Sequence, residues 1–224
     1  MKCNYCRSLC IKNGKQKSGV QKFRCKNCKK FQQETYIYHA RIKFKKDLII
    51  PLIIHNCGFR AIARVLKISV NTVRSTIFIA AEKCSPPRMS IGGIYQVDEL
   101  CAYRKIGKHE IWASYAIEKK TKKVIGISVG QRTKRMVRKT INSVLMNQPK
   151  RIYTDGWSSY KRLIPEQIHK KIPLLLSQIE RLHLTARNNL KMLNRKTLAF
   201  VRKESTLLAC LKLLFWWELQ GSNL

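Results

Sequence analysis

Three acids and four cysteines carry most of the chemistry this sequence offers. Asp98 follows the apolar run Ile94-Tyr95-Gln96-Val97, Asp155 follows Arg151-Ile152-Tyr153-Thr154, and Glu180 sits in Gln178-Ile179-Glu180-Arg181. Carboxylates are hard oxygen ligands, suited to Mg2+ (or Mn2+). Two such ions about 3.5–4 Å apart stabilise the entering and leaving oxygens of a phosphodiester displacement and activate the nucleophile. Acids are scarce here, 12 against 46 Lys and Arg, so a set of them in matching places is informative. An Asp inside an apolar strand costs free energy unless it has a partner or a task, which makes Asp98 the hardest of the three to read as structural. Asp155 before Gly156 would also serve a turn, and Glu180 would also pair with Arg187 on its helix. Glu99, next to Asp98, points to the opposite face by strand alternation.

The cysteines form a second constellation. Cys3-x-x-Cys6 and Cys25-x-x-Cys28 are two knuckles whose spacing closes around one tetrahedral Zn2+. Gly14 and Gly19 punctuate the stretch between them, and Val20 to Arg24 reads as hairpin, so residues 1–38 read as a zinc ribbon. A piece this small has little core, and the metal supplies much of its folding free energy. Cys10 is left over as a small buried or spare residue.

Residues 39–84 read as a helix-turn-helix. A first helix over 43–55 carries Leu48, Ile49, Leu52 and Ile53 on its apolar face, with Pro51 expected to kink it. Ile62, Ala63 and Leu66 mark a second helix. Ser69 is placed to cap a third, whose inward stripe is Val70, Val73 and Ile77. In such a motif the last helix enters the major groove, which assigns Asn71, Thr72, Arg74 and Ser75 to DNA; Arg60, on the helix before it, is expected to contact DNA as well. Asn suits adenine and Arg suits guanine. Ser85-Pro86-Pro87 then opens a linker over 85–93.

The elements that must position the acids follow from residue 94. Short runs at 94–100, 111–117 and 124–129 read as an antiparallel meander. Residues 133–147 have helical periodicity, 151–154 form a fourth strand, and 178–191 are helical again. Three strands, a helix, a strand and further helices is the order of the ribonuclease H-like fold, in an α/β (α+β) chain whose catalytic domain spans 94–224. Nucleases and transposases with that fold carry one Asp on the first strand, one just after the fourth and a third carboxylate on a later helix, which are the places of Asp98, Asp155 and Glu180.

Charge names the partner class. The 224 residues carry a net charge of +34, with a pI near 10.3. Such a surface repels itself and attracts polyanions, and phosphate neutralisation releases condensed counterions; double-stranded DNA is the expected partner. The apolar runs at 48–54 and 207–217 are too short to span a membrane, and the N-terminus lacks an apolar signal core, so the expected location is the cytoplasm.

At this point the text resembles a known family, the transposases of the insertion-sequence-one group within the DDE class. The matching residues are Gln96-Val97-Asp98-Glu99, Trp112 with Tyr115-Ala116, Gly130-Gln131-Arg132, Thr154-Asp155-Gly156-Trp157-Ser158-Ser159-Tyr160, Pro165, His169, Gln178-Ile179-Glu180-Arg181, Leu184, Arg187, Leu193 and Arg195-Lys196-Thr197. The resemblance implies an enzyme that binds terminal inverted repeats, nicks there and joins the free 3′ ends to target DNA, acting as a homo-oligomer on DNA. It implies that Asp98, Asp155 and Glu180 bind Mg2+, and that Arg187, about two helical turns past Glu180, holds a phosphate. His183 stands where the family usually has Asn, and the end, Phe215 to Gln220, departs from the family. Two other readings stand beside this one: a DNA-binding regulator with an inactive catalytic domain, and another ribonuclease H-like nuclease such as a junction resolvase.

Overall fold

A computed structural model describes residues 1–33, 43–104, 110–172, 177–193, 201 and 203–217. The Arg195-Lys196-Thr197 motif and the tail from 218 lie outside the described residues. The chain divides into two compact units, Met1–Ile42 and Lys43–Leu224.

The first unit holds an antiparallel sheet in the order β1 (Cys10–Lys15), β2 (Gln21–Cys25), β3 (Phe31–Gln33). Its interior is small: Cys3, Cys25, Phe23 and the amide of Gln32. Gln32 holds the N-terminal segment to β3, donating to the Lys2 carbonyl at 2.9 Å and accepting from the Asn4 amide at 2.8 Å.

The second unit begins with helices α1 (Lys43–Asp47), α2 (Ile49–Ile54), α3 (Phe59–Leu66) and α4 (Val70–Lys83). The expected single helix over 43–55 is two. Pro51 has no N–H for the Asp47 carbonyl, so the break falls a turn before the proline, at Leu48, and Pro51 sits in the first turn of α2, where a missing donor costs nothing. Between α3 and α4 the chain turns through Lys67, in the left-handed region at φ 54°. Ser69 then caps α4, accepting from the Thr72 amide at 3.0 Å.

A five-stranded mixed sheet follows: β4 (Ile94–Arg104), β5 (Glu110–Glu118), β6 (Val124–Gly130), β7 (Arg151–Thr154) and β8 (His169–Lys171), in the order β6-β5-β4-β7-β8. The β4–β5 and β5–β6 pairs are antiparallel; β4–β7 and β7–β8 are parallel. The crossover from β6 to β7 is α5 (Lys134–Leu145), capped by Thr133. Met136, Val137, Ile141 and Val144 of α5 pack on Tyr95, Val97 and Ile152.

The opposite face of the sheet is covered by α6 (Ser177–Asn189) and α7 (Glu204–Trp216). There Leu100, Ala113, Tyr115 and Ile117 share one core with Ile179, Ala186, Leu207 and Leu211, and with Ile53, Ile62, Val73 and Ile77 of α2 to α4. The Trp216 indole closes this layer, donating to the Val124 carbonyl at 2.8 Å. Residues 85–93 have no helix or strand, yet they are tied down: the Tyr95 hydroxyl donates to the Ser90 carbonyl at 2.8 Å, and the Gly92 amide to the Asn147 carbonyl at 3.0 Å.

Candidate metal centres and nucleic-acid interface

The parallel register brings two of the acids to one level. Gln96 of β4 pairs with Tyr153 of β7; two residues further along each strand come Asp98 and Asp155. Carboxylate oxygens of Asp98, Glu99 and Asp155 all lie within 4.8 Å of one another. The Asp155 carboxylate also accepts from the Trp157 amide at 2.9 Å, so it forms the turn as well as facing the cluster. The turn passes through Gly156 at φ +93°, a backbone conformation that favours glycine.

Glu99 is the acid that strand alternation assigned to the opposite face. It does leave β4 on the α5 side, but there it is gathered by partners beside the strand ends. It accepts from the Arg132 guanidinium at 3.1 Å and from the Tyr160 hydroxyl, and is 7% exposed. Arg132 is itself held between two indoles, its guanidinium carbon 4.7 Å from the ring centres of Trp112 and of Trp157. The signal was present in the sequence, since Glu99, Trp112, Arg132, Trp157 and Tyr160 all stand in the residues that carried the family resemblance.

On the other side of Asp98 lie Tyr115, its cross-strand partner on β5, and His183 and Arg187 of α6. His183 Nε2 is 4.0 Å from Asp98 Oδ2, and the His183 ring meets the edge of Tyr115 with centres 5.3 Å apart. The Tyr115 hydroxyl, His183 Nε2 and Arg187 Nε are buried without a hydrogen-bond partner among the described residues. Glu180 is exposed in the first turn of α6, outside the Asp98–Glu99–Asp155 group among the described residues. At 100° per residue it shares a side of α6 with Arg187, with His183 between them.

Burial sets the charges here. It raises the Asp98 carboxyl to about 7; the Glu99 amide lowers it, and the charges of Asp155 and Glu99 add to the rise. Glu99 is also raised, by burial first, against the lowering by Tyr160 and Arg132. His183 is lowered to about 4, by burial first and then by the charge of Arg187. Asp98 and His183 are therefore no ordinary ion pair: burial disfavours the charge on both. Crowded acids of raised pKa are the arrangement that a bound cation relieves.

In the first unit, Cys3, Cys6, Cys25 and Cys28 offer sulfurs all within 4.8 Å of one another, with Cys3–Cys28 at 3.5 Å and Cys6–Cys25 at 3.4 Å. Ligands about 2.3 Å from a tetrahedral ion stand about 3.8 Å apart, so this donor set fits zinc. The backbone amide of Ser8, then its side chain and Cys25, lower the Cys6 thiol to about 6, which favours the thiolate that binds metal.

Asn71, Arg74 and Ser75 are exposed on α4, while Thr72 is half-buried and bonded to the Ser69 hydroxyl at 2.8 Å. Arg60, Asn71 and Arg74 line a cavity of about 600 Å³ together with Lys191 and Lys203, which come from beyond the sheet.

A mixed α/β unit with acids gathered at neighbouring strand ends, in a chain of net charge +34, is an arrangement that could hold a divalent cation beside a polyanion. The family model for IS1 transposase matches residues 94–207. The insertion element iso-IS1N protein InsA of Shigella dysenteriae is 38% identical over 76 residues, 34% of this chain and 84% of that protein. The insertion element iso-IS1n protein InsB of the same organism is 30% identical over 109 residues, 49% of this chain and 83% of that protein. A chain in the cryoEM structure of a simian T-cell lymphotropic virus intasome with the PP2A regulatory subunit B56 gamma is 12% identical, with a TM-score of 0.32 over 75% of this chain and 65% of that one. The protein belongs to the IS1 transposase family. It is thus an insertion-sequence transposase, and membership implies divalent-metal use and action on DNA. Among the described residues no helix is long and apolar enough to cross a membrane.

Proposed function

We propose that the 94–224 region is a ribonuclease H-like catalytic domain that cuts DNA at the ends of its element and joins the 3′ ends to target DNA. Asp98, Asp155 and Glu180 are the metal-binding acids of this reading, and Arg187 is a phosphate contact. The observation that carries it is the parallel β4–β7 register, which sets Asp98 and Asp155 side by side with Glu99. Asp98, Asp155 and Glu180 would hold Mg2+ or Mn2+, which would neutralise charge on the entering and leaving oxygens. The chain's own groups do the rest. Asp98 and Asp155 hold the site at the strand ends, Arg132 and Tyr160 fix Glu99, and Arg187 meets a phosphate oxygen from the α6 side.

Residues 1–38 are a zinc ribbon on Cys3, Cys6, Cys25 and Cys28, and residues 39–84 are a helix-turn-helix that binds the terminal inverted repeats through Arg60, Asn71, Thr72, Arg74 and Ser75. The shared cavity supports this assignment: five of its lining side chains are Arg60, Asn71, Arg74, Lys191 and Lys203, cations with one amide, as a phosphate backbone requires. The chain then works as a homo-oligomer on paired DNA ends.

Metal-dependent strand transfer with a duplex carrying the element's ends tests the reading. D98N and D155N are expected to lose about a hundredfold or more in rate, about 2.7 kcal/mol, while still protecting the repeats. E180Q and E99Q tell which carboxylate is the third. Equal strand transfer by D98N and wild type would leave the chain as a DNA-binding regulator, and equal binding to any branched DNA would favour a resolvase.

A further inference from the structure

We propose that His183 is a metal ligand that shares a divalent ion with Asp98 on the side of Asp98 away from Asp155. The inference rests on reading Asp98 as a metal-binding acid, and adds a nitrogen ligand to a site otherwise made of oxygens.

The geometry is specific. His183 Nε2 stands 4.0 Å from Asp98 Oδ2. That is too far for a hydrogen bond, and Nε2 is buried with no hydrogen-bond partner among the described residues. Two ligands each about 2.1 Å from one ion lie about 3 to 4.2 Å apart. The other Asp98 oxygen, Oδ1, is turned toward the Glu99 amide at 2.8 Å, so the two oxygens address two directions. The imidazole is held in place by its edge contact with Tyr115.

Tyr115 supplies the independent observation. It is fully buried, directly across the strand pair from Asp98, and its hydroxyl has no hydrogen-bond partner among the described residues. A buried hydroxyl left unpaired is costly, and so is the unpaired Arg187 Nε beside it. Among the described residues, three unpartnered polar groups thus surround one flank of Asp98, and of them His183 Nε2 stands at a distance from Asp98 Oδ2 that one shared ion would span. An imidazole donor shifts preference toward first-row transition ions, so this subsite favours Mn2+ over Mg2+.

The test uses the full-length chain with 15N-labelled histidine, loaded with Mn2+ with and without a DNA duplex, and reads nitrogen hyperfine coupling by pulsed electron paramagnetic resonance. The label separates imidazole from the 14N of the bases. Wild type is expected to show directly bound 15N. H183N is expected to lose that coupling, to keep Mn2+ bound near Asp155, and to lose about tenfold in Mn2+ over Mg2+ preference. D98N is expected to lose the coupling too. Should H183N fail to fold, labelled and unlabelled wild type compared with D98N decide the matter. Asp98-dependent Mn2+ without histidine coupling, or coupling that persists in H183N, overturns the proposal and leaves the Asp98–Asp155 reading standing. Mn2+ binding indifferent to D98N removes both.

Discussion

Asp98 and His183 answer burial in opposite ways, and the signs can be followed. The Asp98 carboxyl titrates at about 7 in the folded chain and at about 3.9 unfolded. Its stabilising contribution is present below about pH 4 and is lost as pH rises to about 7, because the folded state holds a proton the unfolded state has released. His183 titrates at about 4 folded and about 6.5 unfolded. Its contribution is present above about pH 6.5 and is lost as pH falls to about 4, because the unfolded state takes up a proton the folded state refuses. The two slopes oppose each other across nearly one window. In metal-free protein, D98N is expected to gain stability with rising pH from 4 to 6.5 more steeply than wild type. H183N is expected to lose stability with rising pH from 4 to 7, helped by Glu99, which is raised for the same reason. Urea melts at each pH read both slopes; parallel curves for the three proteins would mean the pair does not titrate as burial dictates.

At the scale of elements, periodic segments were legible and their junctions less so. The meander, α5, β7 and α6 were readable because each has a clean period, and the cap at Ser69 because a hydroxyl before an apolar stripe has few other uses. The break at Leu48 was misplaced to Pro51, since the effect of a proline falls on the carbonyl four residues before it. Strand β8 is three polar residues, His169-Lys170-Lys171, and carries no apolar period to read. The apolar stretch at 207–217 spoke only against a membrane span; as α7 it seals the sheet face on which α6 and α2 to α4 also pack. Of the carboxylate cluster, the strand-end places of Asp98 and Asp155 were legible from strand positions, whereas alternation alone set Glu99 apart: its surroundings depend on Arg132 and Tyr160, 33 and 61 residues away, and only the family-like text held them together. The Ser69 cap has a measurable worth. S69A removes the acceptor for the Thr72 amide and is expected to cost about 1 kcal/mol. It also frees the Thr72 hydroxyl, so repeat binding should weaken along with stability. A melt unchanged to within a few tenths of a kcal/mol would mean solvent replaces the cap fully.

At the scale of the whole molecule, the two units differ in what holds them together. The second has a continuous apolar core on one face of its sheet and a further cluster under α5. The first buries little beyond Phe23, Gln32 and the cysteines themselves, and a sheet of three short strands without a hydrophobic face is marginal in water. Four cysteine sulfurs held within 4.8 Å of one another would also repel as thiolates unless an ion joined them. Zinc is therefore expected to be the fold of the first unit, whereas the second should not need it. Chelation of the full-length chain is expected to deprotect the amides of β1, β2 and β3 in hydrogen exchange. Those of β4, β5 and β7 should keep their protection, because the core beneath them contains no cysteine that the metal holds. C6S or C25S should produce the same pattern without a chelator. Protection of β1 to β3 that survives complete zinc removal would mean that Gln32 and Phe23 suffice, and that the cysteine cluster serves some other end than folding.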